Sequence, residues 1–169
     1  MNKESIEFKV LGVVESRFEH QTGTPIQGRL APEETAVIRI YDEYAAGLKD
    51  LDGFSHIYVF FGFNRSDSGK LLVKPYLDTV ERGIFATRSP LRPNPLGMTI
   101  VRLERIEGNK LHVSGVDILN GSPVLDIKPY IPAFDHHQPE RIGWYQSKEQ
   151  KDSLVLADDR FAAPEKPDK

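Results

Sequence analysis

Apolar and polar residues alternate most regularly over Gly97–Glu107. Met98, Ile100, Arg102, Glu104 and Ile106 fall on one side of an extended chain there, and Thr99, Val101, Leu103 and Arg105 on the other. Gly108-Asn109 follows, a two-residue hairpin signal, so Leu111–Ile118 reads as the returning strand. Thr35–Tyr41 alternates in the same way, with Ala36, Ile38 and Ile40 set against Val37, Arg39 and Tyr41. Phe54–Phe63 is aromatic and β-branched throughout and predicts a central strand buried on both faces. Glu7–Glu15, with Phe8, Val10, Val13 and Val14, reads as a strand broken by a bulge at Leu11 and Gly12. Leu71–Leu77 is a short extended piece that Pro75 confines to an edge or bulge, and Val124–Ile131 is a last strand. The spacing of Tyr44, Ala45 and Leu48 predicts a short helix over Asp42–Leu48, capped by Asp42 and short enough to plug the end of a barrel.

Six or seven short strands with one helix, and no strand–helix alternation, argue against a doubly wound sheet. The expected fold is mainly β: a small, mostly antiparallel β-barrel with short helical decorations. One domain over residues 5–146 is expected, followed by a charged extension over 147–169 whose end, Pro164–Lys169, reads as disordered. The length of 169 residues suits a single core.

Lys and Arg number 22 and Asp and Glu 25, a net charge of -3, which excludes a strongly basic nucleic-acid coat. A local patch is still open to it, since Arg82, Arg88, Arg92, Arg102 and Arg105 lie close together in the chain. The absence of cysteine removes disulfides, thiolate metal sites and thiol catalysis. Met1–Lys9 is polar and no apolar run is long enough for a membrane span, so a cytoplasmic protein without membrane association is expected. Among the five histidines, Asp135-His136-His137 alone suggests metal ligands, but neighbours in a strand point to opposite faces, and no metal is expected.

Three polar, rigid segments stand apart from this economy. Thr22–Arg29 (TGTPIQGR) has two glycines for close backbone approach and the amide of Gln27; it reads either as a surface turn or as a ligand loop. Phe85–Gly97 (FATRSPLRPNPLG) fixes three φ angles through Pro90, Pro93 and Pro95. That stiffness holds Arg88 and Arg92 for bidentate contact with carboxylate or phosphate, or else makes a rigid crossing between strands. Asp117–Tyr130 (DILNGSPVLDIKPY) contains the tight turn Asn120–Pro123 and, at spacing two, Asp126, Lys128 and Tyr130 on one strand face. A carboxylate, an ammonium and a phenol together suit acid–base work, though an exposed ion pair beside a half-buried Tyr has the same pattern.

FATRSPLRPNPLGMTIVRL (Phe85–Leu103) and DILNGSPVLDIKPYIP (Asp117–Pro132) closely resemble the TrmO/TsaA-like family of S-adenosylmethionine-dependent tRNA (adenine37-N6) methyltransferases. GTPIQGRL (Gly23–Leu30) resembles its first motif and LDGFSHIYVFFGF (Leu51–Phe63) its central strand, so the likeness runs from about Phe8 to Ile142. The resemblance implies a compact β-barrel, a homodimer with cofactor sites near the subunit interface, and S-adenosylmethionine as cofactor. By motif match the cofactor contacts would be Gln27, Gly28, Arg29, Asn64, Arg65, Arg88, Met98, Ile118, Leu119, Asn120 and Gly121. Where the family commonly has Asp-Gly-Thr-Pro and a His-Gln pair, this chain has Asn120-Gly121-Ser122-Pro123 and Asn64-Arg65.

The family reaction moves a methyl group from a sulfonium to N6 of an adenine beside the anticodon, often one bearing a threonylcarbamoyl group. The methyl carbon is already activated, so orientation and removal of the N6 proton are left to the protein. On residue chemistry, Asp126 is the first candidate base, Tyr130 the second, and Lys128 would hold Asp126 ionised or polarise the carbamoyl oxygen. Arg88 and Arg92 would bind the threonyl carboxylate or an anticodon-loop phosphate. A cofactor-binding sensor without methyl transfer, or a methyltransferase for another acceptor, remain the alternatives.

Overall fold

The computed structural model describes residues 5–66, 69–148 and 154–161. The expected terminus over Pro164–Lys169 lies outside them. Six strands close an antiparallel barrel: β1 (Gly12–Ser16), β2 (Thr35–Ile40), β3 (His56–Gly62), β6 (Leu96–Glu107), β7 (Lys110–Ser114) and β8 (Pro123–Pro129). Their order around it is β1-β2-β7-β6-β3-β8. Two short strands, β4 (Leu72–Val73) and β5 (Arg82–Gly83), pair with each other outside the barrel. One short α-helix, α1 (Pro132–Asp135), follows β8.

The alternating positions fill the interior. Val14, Ile38, Ile57, Val59, Val101, Leu111, Val113 and Val124 are all buried within one cluster. Each such β-branched or branched side chain contributes about 1.5–3 kcal/mol on full burial. The β6–β7 hairpin forms around Gly108-Asn109 as the sequence predicts.

β3 departs from expectation. Its inner face (Ile57, Val59, Phe61) is buried, but His56, Tyr58 and Phe60 lie on the barrel exterior and are only half-buried. In β6 the alternation does not persist: the register shifts between Leu103 and Arg105, so Arg105 faces solvent and Ile106 packs on the core. β1 starts only at Gly12, and Phe8 and Val10 stay exposed. The Asp42–Leu48 segment is 3-10 rather than α-helical, and Asp42 does not cap it, because its carboxylate accepts from Asn109 Nδ2 at 2.8 Å. Tyr44, Leu48 and Leu51 pack against the barrel core and close the mouth where β2 ends and β3 begins.

Candidate active site at the open barrel mouth

At the opposite mouth, where β3 ends and β6 begins, lies a cleft of about 330 Å³. Its apolar lining includes Phe61, Phe63, Met98 and Leu119, and its ionisable lining residues are Arg65, Arg88, Arg92, Tyr76 and Asp117. All three polar segments singled out in the sequence reach it. Gly97 is required there, because a Cβ on it would run into the Phe61 ring.

The proline-rich segment is held by its own arginine. Arg92 Nη1 donates to the carbonyls of Thr87 at 2.7 Å and Ile84 at 3.3 Å, so part of its guanidinium organises the loop. Arg88 donates through Nη1 to Gln27 Oε1 and thereby links the first and second segments. Gln27 Nε2 donates to the Ile26 carbonyl at 2.7 Å. Arg65 donates to the carbonyls of Glu19 at 2.7 Å and Asn120 at 2.8 Å, fixing the Asn120–Pro123 turn. The Asn120 side chain is occupied as well: Nδ2 donates to Glu19 Oε1 at 2.8 Å and Oδ1 accepts from Ser16 N at 3.3 Å.

Of the expected cofactor contacts, Gln27, Asn64, Arg65, Arg88, Met98 and Leu119 line the cleft. Gly28, Asn120 and Gly121 stand beside it in the chain. Arg29 is exposed away from the lining, and Ile118 is buried in the core with its carbonyl accepting from Ser16 Oγ at 2.7 Å. Asp126 and Lys128 do share one face, but it is the outer face of β8, opposite Phe60 and Tyr58 of β3, and Tyr130, just past the end of β8, sets its ring beside Tyr58 on that same side. Asp126 is 45% exposed there and paired with Lys128 at 2.7 Å, so the structure does not bring this trio into the cleft. The five-arginine patch does not assemble either. Arg82, Arg102 and Arg105 are paired with Asp78, Glu104 and Glu107, whereas Arg65, Arg88 and Arg92 make no ion pair among the described residues.

Three contributors to the cleft have no assigned role among the candidates drawn from the sequence, although the third polar segment opens on Asp117 beside the Asn120–Pro123 turn. Asp117 follows Gly115, whose φ of 73° turns the chain out of β7. Val116 and Ile118 then enter the core and Asp117 faces the cleft. Its Oδ1 is buried without a hydrogen-bond partner, and burial pushes its pKa up to about 6. The Thr99 side chain, the backbone N–H groups of Gly28 and Asp117, and Arg88 pull the other way. The one signal in the sequence is a carboxylate set between two apolar core positions. Tyr76 is the second: burial drives its phenol far above the ordinary range. The third is the segment 154–161, expected as a plain extension. It returns to the first loop through Gly23 N to Ala157 O at 2.9 Å, Ile26 N to Val155 O at 3.0 Å and Ala157 N to Thr24 O at 2.8 Å. Ala157 thereby joins the cleft wall, and Phe161 packs edge-on to Tyr76 at 4.7 Å.

An antiparallel barrel with an arginine-rimmed cleft at one mouth and a buried carboxylate in its wall has the form of a small-molecule site on a non-Rossmann scaffold. The chain belongs to the tRNA-methyltransferase O N-terminal domain family, whose model matches residues 13–136. It is 41% identical over 154 residues to a probable S-adenosyl-L-methionine-binding protein of Pyrococcus abyssi, covering 91% of this chain and 84% of that one. It is 39% identical over 135 residues to the human tRNA (adenine(37)-N6)-methyltransferase, covering 76% of this chain but 31% of the human protein. The solved structure of TrmO from Pseudomonas aeruginosa superposes with a TM-score of 0.72 at 32% identity, covering 85% of this chain and 62% of that one.

Proposed function

We propose that the protein is an S-adenosylmethionine-dependent methyltransferase that methylates N6 of adenine 37 in tRNA, the adenine bearing a threonylcarbamoyl group. The observation that carries this reading is the cleft itself. It joins a buried carboxylate oxygen without a partner to three arginines free of ion pairs, on the barrel of this family.

The residues present fit S-adenosylmethionine. Phe61, Phe63, Met98 and Leu119 offer apolar walls, and the bare backbone of Gly97 lets the Phe61 ring take its place among them. Gln27, held by Arg88, offers an amide, and the 119–121 turn, held by Arg65, offers backbone groups. When bound, the cofactor supplies an electrophilic methyl group. The protein's part is to hold that methyl group in line with N6, to exclude water and to accept a proton. Arg88 and the free donors of Arg92 suit the threonyl carboxylate or an adjacent phosphate, and Arg65 adds a further positive charge to the rim that RNA phosphate would meet. No metal is needed for this chemistry.

The protein acts as a cytoplasmic homodimer in this reading. Leu96, Met98 and Ile100 of β6 are 42%, 48% and 40% exposed and lie beside Tyr58 and Phe60 of β3. Asp126, Lys128 and Tyr130 flank this apolar stripe on β8, and Met98 joins it to the cleft. A second copy covering the stripe would place those three residues at the edge of the site. A cofactor-binding protein without methyl transfer is the second reading, because relatives of comparable length are named S-adenosyl-L-methionine-binding proteins.

The test is incubation with labelled S-adenosylmethionine and tRNA from a strain lacking the host enzyme, then digestion and nucleoside mass analysis. Methyl on N6 of threonylcarbamoyladenosine is expected. Cofactor binding by calorimetry with no transfer to tRNA would instead select the second reading.

A further inference from the structure

We propose that Asp117, rather than Asp126, is the catalytic base that takes the N6 proton of the acceptor adenine. The inference rests on the methyl-transfer reading above and names the residue that reading leaves open.

Among the described residues lining the cleft, Asp117 is the one carboxylate, and no histidine or lysine is present. The remaining ionisable groups are Arg65, Arg88 and Arg92, whose guanidinium groups donate hydrogen bonds and accept none, and Tyr76. Burial makes the Tyr76 phenol harder still to ionise, so it is a poor base near neutral pH. Asp126 lies on the barrel exterior, ion-paired with Lys128.

Placement adds a second line. The turn at Gly115 aims Asp117 into the cleft while its two chain neighbours anchor in the core. The elements packed around its carboxylate contribute Thr99 from β6, the Gly28 N–H from the first loop and Arg88 from the proline-rich segment. None of these is a second acid, and none satisfies Oδ1. A buried carboxylate oxygen without a donor costs about 1–3 kcal/mol or more, so the fold retains a group that it does not need for stability. Such a group awaits a donor from a ligand, and the same burial brings its basicity toward neutrality, where a general base works best.

The N6 lone pair attacks the methyl carbon, the carbon–sulfur bond breaks with its electron pair left on sulfur, and neutral S-adenosylhomocysteine is released. The N6 proton passes to the Asp117 carboxylate and then to solvent. Arg88 neighbours both Asp117 and Gln27, so it keeps the carboxylate ionised enough to act.

The experiment compares wild type, Asp117→Asn and Asp126→Asn in single-turnover methyl transfer to hypomodified tRNA at saturating S-adenosylmethionine, from pH 5 to 9. Cofactor affinity is measured by calorimetry, and the Asp117 carboxyl carbon is titrated by NMR in the ligand-free wild type. The wild-type rate should rise through about pH 6, where the Asp117 carboxyl carbon should also titrate. Asp117→Asn should be slower by about 100-fold or more and lose that inflection, with cofactor affinity within about threefold. Asp126→Asn should keep the inflection. An Asp117→Asn rate within about threefold of wild type overturns the proposal. So does a parallel loss of cofactor affinity, which would make Asp117 a cofactor anchor. A wild type that binds cofactor but methylates no tRNA overturns the methyl-transfer reading itself, and the base assignment with it.

Discussion

Replacing Asp117 with Asn should stabilise the protein, and the gain should grow with pH. The native carboxyl group is held at about 6 against an ordinary 3.8. Below pH 3.8 both folded and unfolded chains are protonated at this site, and its favourable contribution is fully present. As pH rises the unfolded chain ionises first, so stability falls until the folded group ionises at about pH 6. At about 1.4 kcal/mol per pH unit the whole loss is about 3 kcal/mol, of which about 2 kcal/mol falls between pH 4.5 and 8. Asparagine cannot ionise and escapes this loss. Other carboxylates titrate too: Arg82 holds Asp78 down, a hydrogen bond from Ser114 holds Glu104, and Arg105 holds Glu107. They affect both proteins alike and cancel in the difference. The assay is urea unfolding of both proteins at pH 4.5 and 8. With an m-value of about 2 kcal/mol per molar, the gap in midpoints should widen by about 1 M. A gap that is constant or narrows with pH would refute the claim that Asp117 is buried and raised.

Three further perturbations address other parts of the site. Asn120→Asp should cost about 1 kcal/mol at neutral pH, because it replaces the donor to Glu19 Oε1 by a like charge; Glu19→Gln should restore the loss, and a thermal melt reads both. Phe161→Ala removes a buried ring packed on Tyr76 and should cost about 3–5 kcal/mol locally. Faster proteolysis after residue 148 with weaker cofactor binding is expected, and unchanged binding would separate that segment from the site. Ile100→Glu places a charge on the exposed stripe of β6, away from the cleft lining. If the proposed dimer forms through this stripe, light scattering should show a dimer for wild type and monomers for Ile100→Glu, with thermal stability otherwise kept; the same mass for both would remove the stripe as the interface.

Much of the barrel is legible in the sequence because burial on one face imposes period two, as in β2 and the β6–β7 hairpin. The same logic misreads the outside of β3. Tyr58 and Phe60 look like core residues from composition, and only the closed topology shows that they face outward. In β6 a register shift after Leu103 inverts the alternation, which no local pattern announces. The cleft is legible where its cost is local: three prolines around Arg88 and Arg92, and a Gln between glycines. Asp126, Lys128 and Tyr130 illustrate the limit, since spacing shows that residues share a face but not whether it is the inner, outer or cleft face. Asp117 depends on a turn at Gly115 and on neighbours from the first loop, the proline-rich segment and β6, so its burial emerges only in three dimensions.

Amide chemical-shift mapping during titration with S-adenosylmethionine shows whether the open barrel mouth holds the methyl donor. Shifts should concentrate over residues 24–28, 63–66, 87–92, 96–99 and 117–122, with Ala157 responding across the cleft. Shifts confined to the ion-paired surface around Glu15, Arg39, Arg105 and His112, with the cleft silent, would contradict that placement of the donor.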